Sequence, residues 1–591
     1  NSVLFQEQVS ATITDFTVLN RIQPTTGAGV PVSRVIELNG TIQSRFNGVA
    51  GGSVWFYTPG GFAVGANSVF DVGNLVLTSN QIDTTGGLYG ANNTIRFRGA
   101  VGSTAGVTIA SGAQITASSS NSYIALVAPR VVQGGTVSVN GSTAYVGAEQ
   151  ADIRINGGLF DIAVTVGTTD AHGVEHTGTT TGPASVDASP TTPDPQRVFM
   201  VAVPKNNALT MLLSGDIGYA AAATALEENS AVVLSSGYDV ENGIVAAAPN
   251  STATGAAGIS IGAGTFSSQL NGSATDGITV SSGAATQFSA DATLNALSSV
   301  TLFAGEDASI TALGNLTLNA DTGTDGGSIG VSAFGDAITP AASGFVNVAG
   351  QMTINARGSG TFVAPDAVGG TVTISSDGGD IRFGSLAVDA TANASADATR
   401  SGNAIGGAIT LEALNAGTYT IGSMTLDASG NGYFLSTPPS IGGDGQGGTI
   451  RVTGAGGTMD FADVTLRAQA TAGTSSTGAA GLATAGDIYV DISSGTHDWT
   501  ALFADVSSVA GYSTNGGTMA GATPGANGIS IDVRNGATLN LSQSISLYGD
   551  AYAYGPGSGP SEVRGSNITT RARDGGTLSM VLDYFASAQA R

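Results

Sequence analysis

The sequence predicts an all-β fold, a right-handed parallel β-helix with three strands per coil, and three observations carry that prediction. The first is composition. Charged residues make up 10% of the 591 residues, against roughly 25% in ordinary soluble domains. Glycine occurs 88 times, and β-branched residues stand where a helical protein would carry Leu, Glu and Lys. With 41% apolar residues the chain is not of disordered composition. The second observation is an internal repeat. The third is the alternation of apolar and polar residues inside each repeated phrase, the two-residue period of a half-buried strand.

The repeat begins near residue 369 with a period close to 40. One phrase recurs as VTI at Val372, ITL at Ile409, IRV at Ile450, IYV at Ile488, ISI at Ile529 and ITT at Ile568, with spacings of 37, 41, 38, 41 and 39. Glycine pairs precede most copies, as at Gly369-Gly370, Gly406-Gly407 and Gly447-Gly448. A second phrase follows: IRF at Ile381, YTI at Tyr419, MDF at Met459, HDW at His497, LNL at Leu539 and LSM at Leu578. A third is LAVDA at Leu386, MTLDA at Met424, VTLRA at Val464 and ISLYG at Ile545. Stacked copies pair each strand with its equivalent at about 4.8 Å per coil. A lone coil cannot bury its inward residues, so stability comes from neighbouring coils. Long Gly/Ala/Ser-rich loops leave one corner of these coils and are expected to stack as a ridge.

Three regions are expected along the chain. Residues 1–220 form a first β-helical domain, with VTIASGAQITA from Val107 as an example of its short coils. Within it the Thr- and Pro-rich segment at about 169–197 reads as a polar excursion from the rod. Residues 221–368 form coils with shorter loops, marked by VTLFA at Val300 and LTLNA at Leu316. Residues 369–591 form about six 40-residue coils with long loops.

Charge and cysteine content exclude several functions. The net charge is −24 and Lys205 is the one lysine. No basic patch is available to neutralise a run of phosphates, so nucleic acid is not an expected partner. With no cysteine there are no disulfides and no thiol chemistry. The absence of cysteine also fits export of an unfolded chain through an oxidising compartment. No run of 18 apolar residues reads as a membrane-spanning helix. The chain begins at Asn1 without methionine, so a leader piece is expected to precede it.

HGVEH, from His172 to His176, matches the inverted zinc-protease pattern, which needs both histidines on one helical face. Gly173 and the flanking threonines do not support a helix, so a solvated loop is expected and no metal residue is assigned. DGG at Asp325, Asp377 and Asp574, and GGDGQGG from Gly442, resemble calcium-binding turns, but Gly447 stands where that motif needs aspartate. Turn chemistry accounts for these glycines. No cofactor is expected, with structural calcium left as an alternative. Acidic residues are spread one per strand end or loop, with no converging catalytic group, and the chain is not expected to be an enzyme.

GGSVWFYTPGGFAVGANSVFDVGNLVLTS, from Gly51 to Ser79, resembles the secretion-domain signature of filamentous haemagglutinin-like exoproteins, the passengers of two-partner secretion. The resemblance rests on Gly52, Val54, Trp55, Phe56, Thr58, Pro59, Gly61, Asn67, Val72, Gly73, Leu75, Leu77 and Thr78. FTVLNRI from Phe16, VIELNGTIQS from Val35 and the stretch from Ser122 extend it over roughly residues 1–220. Thr58-Pro59-Gly60 departs from the Asn-Pro-Asn of many relatives. The resemblance implies an address read by an outer-membrane transporter barrel of a Gram-negative bacterium, and an extracellular or cell-surface location. The expected role is adhesion or a place in biofilm matrix, with a glycan or protein ligand on a host, abiotic or cell surface. Tyr433, Phe434, Tyr512, Tyr552 and Tyr554 are the candidate loop contacts. Self-association of the rods into an extracellular filament or coat is the second reading, because open ends of stacked strands invite pairing. A polysaccharide-active β-helix enzyme is the third.

Overall fold

A computed structural model describes residues 2–7, 15–156, 158–184, 196–220, 230–321, 323–335, 343–396, 401–433, 442–475, 479–511, 521–553 and 562–591. Among them there is no α-helix, and one three-residue 3-10 turn lies at Ala91–Asn93. The rest of the regular structure is strand, stacked mainly in parallel, so the fold is an all-β solenoid. Two compact units are formed: Asn1–Val280 with Thr286–Leu294, and Ser281–Ala285 with Asn295–Arg591.

In the second unit the repeat read from the sequence is the register of the stack. Val372 pairs with Ile409, Ile409 with Ile450, Ile450 with Ile488, Ile488 with Ile529, and Ile529 with Ile568. The second and third phrases lie on single longer strands, Asp380–Asp389, Thr418–Asp427, Thr458–Arg467 and Thr496–Asp505. The pairing skips one residue in the middle of each, at Gly384, Gly422, Ala462 and Thr500. Inward residues on both sides of that break are fully buried, as at Ile381, Leu386, Tyr419, Met424, Phe461 and Val464. Each such side chain contributes about 1.5–3 kcal/mol by leaving water.

The expected ridge of loops contains ordered strands. Six short segments pair in parallel, running through Gly358–Ser359, Ala392–Asn393, Gly430–Asn431, Ala470–Thr471, Ser508–Ala510 and Ala551–Ala553. Five return segments pair likewise: Ala367–Val368, Ala404–Ile405, Gly445–Gln446, Ala483–Thr484 and Ala522–Thr523. The two ladders meet on alanines, in buried groups such as Ala470, Ala472 and Ala483. Their backbones come so close that a Cβ on Gly430 would run into the Gln446 carbonyl oxygen, and one on Gly445 into that of Thr471. This thin double layer is the physical reason for the Gly/Ala content of the loops.

The first unit stacks parallel strands in the same way. One row runs through Thr17–Arg21, Ser53–Tyr57, Asn74–Thr78, the second half of Gln114–Ala128, Thr136–Gly147, Gln196–Ala202, Ser230–Ser236 and Gln269–Ala274. Unlike the second unit, it carries a six-stranded antiparallel sheet of Gln81–Asp83, Thr94–Arg98, Gln150–Asn156, Leu159–Val166, Tyr238–Glu241 and Ile244–Pro249. Ile82, Phe97, Ile153, Phe160 and Ile162 of that sheet pack on Trp55, Val76, Val127, Val146 and Phe199 of the row. Those strands are therefore buried on both faces, which is why they read as unbroken apolar runs. On the sheet's other face Arg98 pairs with Asp152 at 2.5 Å and Arg96 with Asp83 at 3.6 Å.

The segment expected to leave the rod is corrected in its described part. Val174–His176 pairs in parallel with Arg130–Gln133 and Ala208–Ile217. Thr179–Thr181 pairs with Thr136–Gly147, and Gln196–Ala202 belongs to the long row. Threonine is β-branched and suits a strand, and here Val174, His176 and Thr180 alternate inward and are buried. Residues 185–195 lie outside the described residues.

The close approach of the two loop ladders makes a local prediction. Gly445→Val should force them apart at an overpacking cost of about 1–3 kcal/mol. Limited proteolysis with mass mapping is expected to show new cuts between residues 430 and 447, with the far-ultraviolet circular dichroism of the coils retained.

Candidate functional site

The residues of the secretion-like signature come together in one place, and each has a structural task. Val54 pairs with Leu75, and Trp55 with Val76, on adjacent parallel strands. Val54 and Leu75 are fully buried. Trp55 lies under the antiparallel sheet. Its indole N–H donates to the Tyr123 hydroxyl at 3.0 Å, and its ring meets Tyr89 edge-on at 5.0 Å. Thr58-Pro59-Gly60-Gly61 is a turn closed by the Gly61 N–H to the Thr58 carbonyl at 3.1 Å, with proline at the position that favours its fixed φ. Gly61 has φ +81°, and a Cβ there would strike the Gly106 carbonyl oxygen. A Cβ on Gly73 would meet the backbone of Gly51 and Gly52. Asn67 sits in the turn Gly65–Ser68 and is exposed.

Of the loop aromatics, Tyr433 is 44% exposed. Tyr552 lies on a ladder strand and donates its hydroxyl to Asp550 at 2.8 Å, so it packs along the ridge. Phe434, Tyr512 and Tyr554 lie outside the described residues.

HGVEH enters a strand, in place of the solvated loop expected. Glu175 takes the Arg130 guanidinium at 2.7 Å and His172 at 3.4 Å. His176 points inward and is fully buried. Its Nδ1 is 2.7 Å from the Ser214 carbonyl and its Nε2 is 2.9 Å from the Thr180 hydroxyl. A carbonyl only accepts, so Nδ1 carries the proton and Nε2 accepts from Thr180. The Thr180 oxygen is within reach of the Tyr145 hydroxyl, at 2.8 Å, and of the Gln133 amide, at 3.3 Å. Burial pushes His176 down to about 4, against the opposing Ser214 hydrogen bond and the Asp216 charge. Burial likewise pushes the Tyr145 phenol far up. The network is a neutral core, and both His176 nitrogens are engaged in it.

The carboxylates of the glycine turns are engaged too. Asp377 accepts from the Asn415 amide at 2.8 Å, and Asp444 from the Leu482 N–H at 2.7 Å. The latter bond ties one copy of the return ladder to the next.

Three features have no counterpart in the sequence reading. The first is a buried ion pair. Lys205 reaches Glu149 at 2.6 Å, Glu149 being wholly inaccessible, and the Gly102 N–H adds a bond of 2.7 Å. The second is a groove of about 520 Å³ in the second unit. It is lined by Thr420-Ile421-Gly422, Asp460-Phe461-Ala462, Asp498-Trp499-Thr500, Asn540-Leu541-Ser542, Ser579 and Val581. These are equivalent positions on successive strands. It follows the break in each strand, where Gly422 and Ala462 leave space. The third is an aromatic ladder around the corner. Phe503, Tyr548 and Phe585 stack with ring centroids 5.4 and 5.3 Å apart.

Two measurements check these environments. Lys205→Met leaves a buried carboxylate unpaired and should cost about 3–5 kcal/mol in a urea melt, with Glu149→Gln in the same chain restoring most of it. His176, depressed in the folded state, stabilises fully above its ordinary value near 6.5, and that stability is lost as the pH falls through 6.5 toward 4. The loss accrues between those two values and reaches about 3 kcal/mol only as the pH falls to the folded-state value near 4. Urea midpoints at pH 7 and pH 5 should therefore differ in the wild type. The difference should shrink in His176→Gln to the part left by His497, which burial also depresses. No family model matches the chain, and no curated protein matches it.

Proposed function

We propose that the chain is an extracellular or cell-surface exoprotein that acts by adhesion or within a biofilm matrix, without catalysis. In this reading the coils form a right-handed parallel β-helix with three strands each. An outer-membrane transporter barrel of a Gram-negative bacterium exports the chain. The observation that carries the reading is the signature from Gly51 to Ser79, with its likeness to the secretion domain of filamentous haemagglutinin-like exoproteins.

Two properties support it. Val54, Trp55, Thr58, Gly61, Gly73 and Leu75 are buried. A transporter that recognises them meets them in an unfolded chain, the state in which a β-helix would be exported. A stack in which each coil needs only its neighbour can then fold as it emerges, coil by coil. No cysteine is present to be trapped on the way.

The test is surface exposure of the full chain in cells that carry its gene. Protease added to intact cells should digest the chain, or the chain should appear in the medium. Disrupting the partner barrel should remove it from both places and leave it inside. A chain that stays protected inside wild-type cells overturns the proposal.

A further inference from the structure

We propose that the groove from Thr420 to Val581 binds a linear glycan that presents O–H or N–H donors and carries no acid groups. This deepens the adhesion reading by naming a ligand class. It is tested on purified protein, so it stands or falls apart from export.

The first argument is geometry. Thr420, Asp460, Asp498, Asn540 and Ser579 occupy one register position on five consecutive parallel strands. Neighbouring strands lie about 4.8 Å apart, so polar groups recur at that step along the groove. A polymer running in the stacking direction meets the same kind of partner at every step. Such a ligand must itself repeat, and a linear glycan repeats its hydroxyls at a comparable interval. Ile421, Phe461, Trp499 and Leu541 line the groove's base with their side chains turned into the core and at most 2% exposed, so the apolar surface it offers comes from Ala462 and Val581. Concave sites combine such apolar surface with a few placed polar groups.

The second argument is charge. Asp460 and Asp498 stand directly opposite each other in register, an arrangement of like charges that costs stability. At another facing pair in this unit, Asp491 and Asp532, the carboxylates are neutralised: Arg534 takes Asp491 at 2.6 Å and Arg573 takes Asp532 at 2.7 Å. Among the described residues neither Asp460 nor Asp498 makes an ion pair. Asp498 accepts one bond, from the Asn540 amide at 2.8 Å, and Asp460 accepts none. Carboxylates are acceptors only. A pair with capacity to spare recruits hydroxyl or ammonium donors, and its field repels uronates and sulfates.

The third argument is the neighbouring face. Phe585, the last rung of the aromatic ladder, is 48% exposed. The ladder starts at Phe503, four residues after Trp499 on the same strand. Its rings offer flat apolar faces to the C–H faces of sugar rings.

The experiment is calorimetric titration of the full chain with four probes: a neutral β-glucan oligomer, a glucosamine oligomer, polygalacturonate and heparin. Binding of the neutral oligomer, the glucosamine oligomer or both is expected, with neither anionic probe bound. A stronger response to glucosamine would identify an amine-bearing source, and an equal response a neutral one. Asp460→Asn with Asp498→Asn should weaken glucosamine binding by about ten-fold or more, the scale of a lost charge-assisted hydrogen bond. Ala462→Leu fills the groove and should abolish both responses. Thermal melting of each variant confirms that it is folded. The proposal is overturned if no uncharged or amino glycan binds, if an anionic probe binds as well, or if binding appears only with added calcium. It is overturned equally if folded Ala462→Leu binds as the wild type does.

Discussion

Coil-on-coil register is the constraint on which the rest of this protein depends. Each parallel strand takes its backbone hydrogen bonds from equivalent strands before and after it. Every inward side chain therefore sits over the equivalent inward side chain of the next coil. Val372, Ile409, Ile450, Ile488, Ile529 and Ile568 form such a column. A slip of one residue would turn the whole column outward. The loop ladders, the groove and the aromatic ladder are all columns read along the same stack.

The same constraint governs where charge and glycine stand. Outward columns bring identical positions within about 5 Å of one another, so an unpaired charged column would repel itself. Thr and Ser recur at the outward positions, and some charged columns are matched, as Asp491 is by Arg534. Glycine stands where one backbone crosses close to another, as Gly430 does beside Gln446. In the first unit the antiparallel sheet adds a second covering layer, and Trp55 is buried beneath it with its N–H satisfied by Tyr123.

Two parts of the molecule bear on function in opposite ways. The secretion-like signature is nearly all core and corner, so its residues are available to a partner only before folding. The groove is a product of folding, because its side chains come from strands about 40 residues apart in sequence. The proposed export and adhesion would draw on both kinds of information: one carried by the extended chain, the other by the finished stack.

The sequence by itself determined the all-β class, and the period and register of the coils from about residue 369 onward, because a solenoid's contacts repeat the chain's own local pattern. It also held two hairpin signals of the first unit. Asn242-Gly243, both at positive φ, joins Tyr238–Glu241 to Ile244–Pro249, and the Asn-Gly-Gly run after Ile155 joins Gln150–Asn156 to Leu159–Val166. Their flanking strands read as further coils because alternation is the same in parallel and antiparallel strands. HGVEH read as a loop because a buried histidine shows only through its partners, here Ser214 and Thr180. Tertiary structure alone decided that Lys205 meets Glu149, that the loops zip into two ladders, and that a groove opens beside the column of Asp460 and Asp498. Those contacts join residues tens of positions apart, and strand spacing in three dimensions, which local pattern does not encode, is what brings them together.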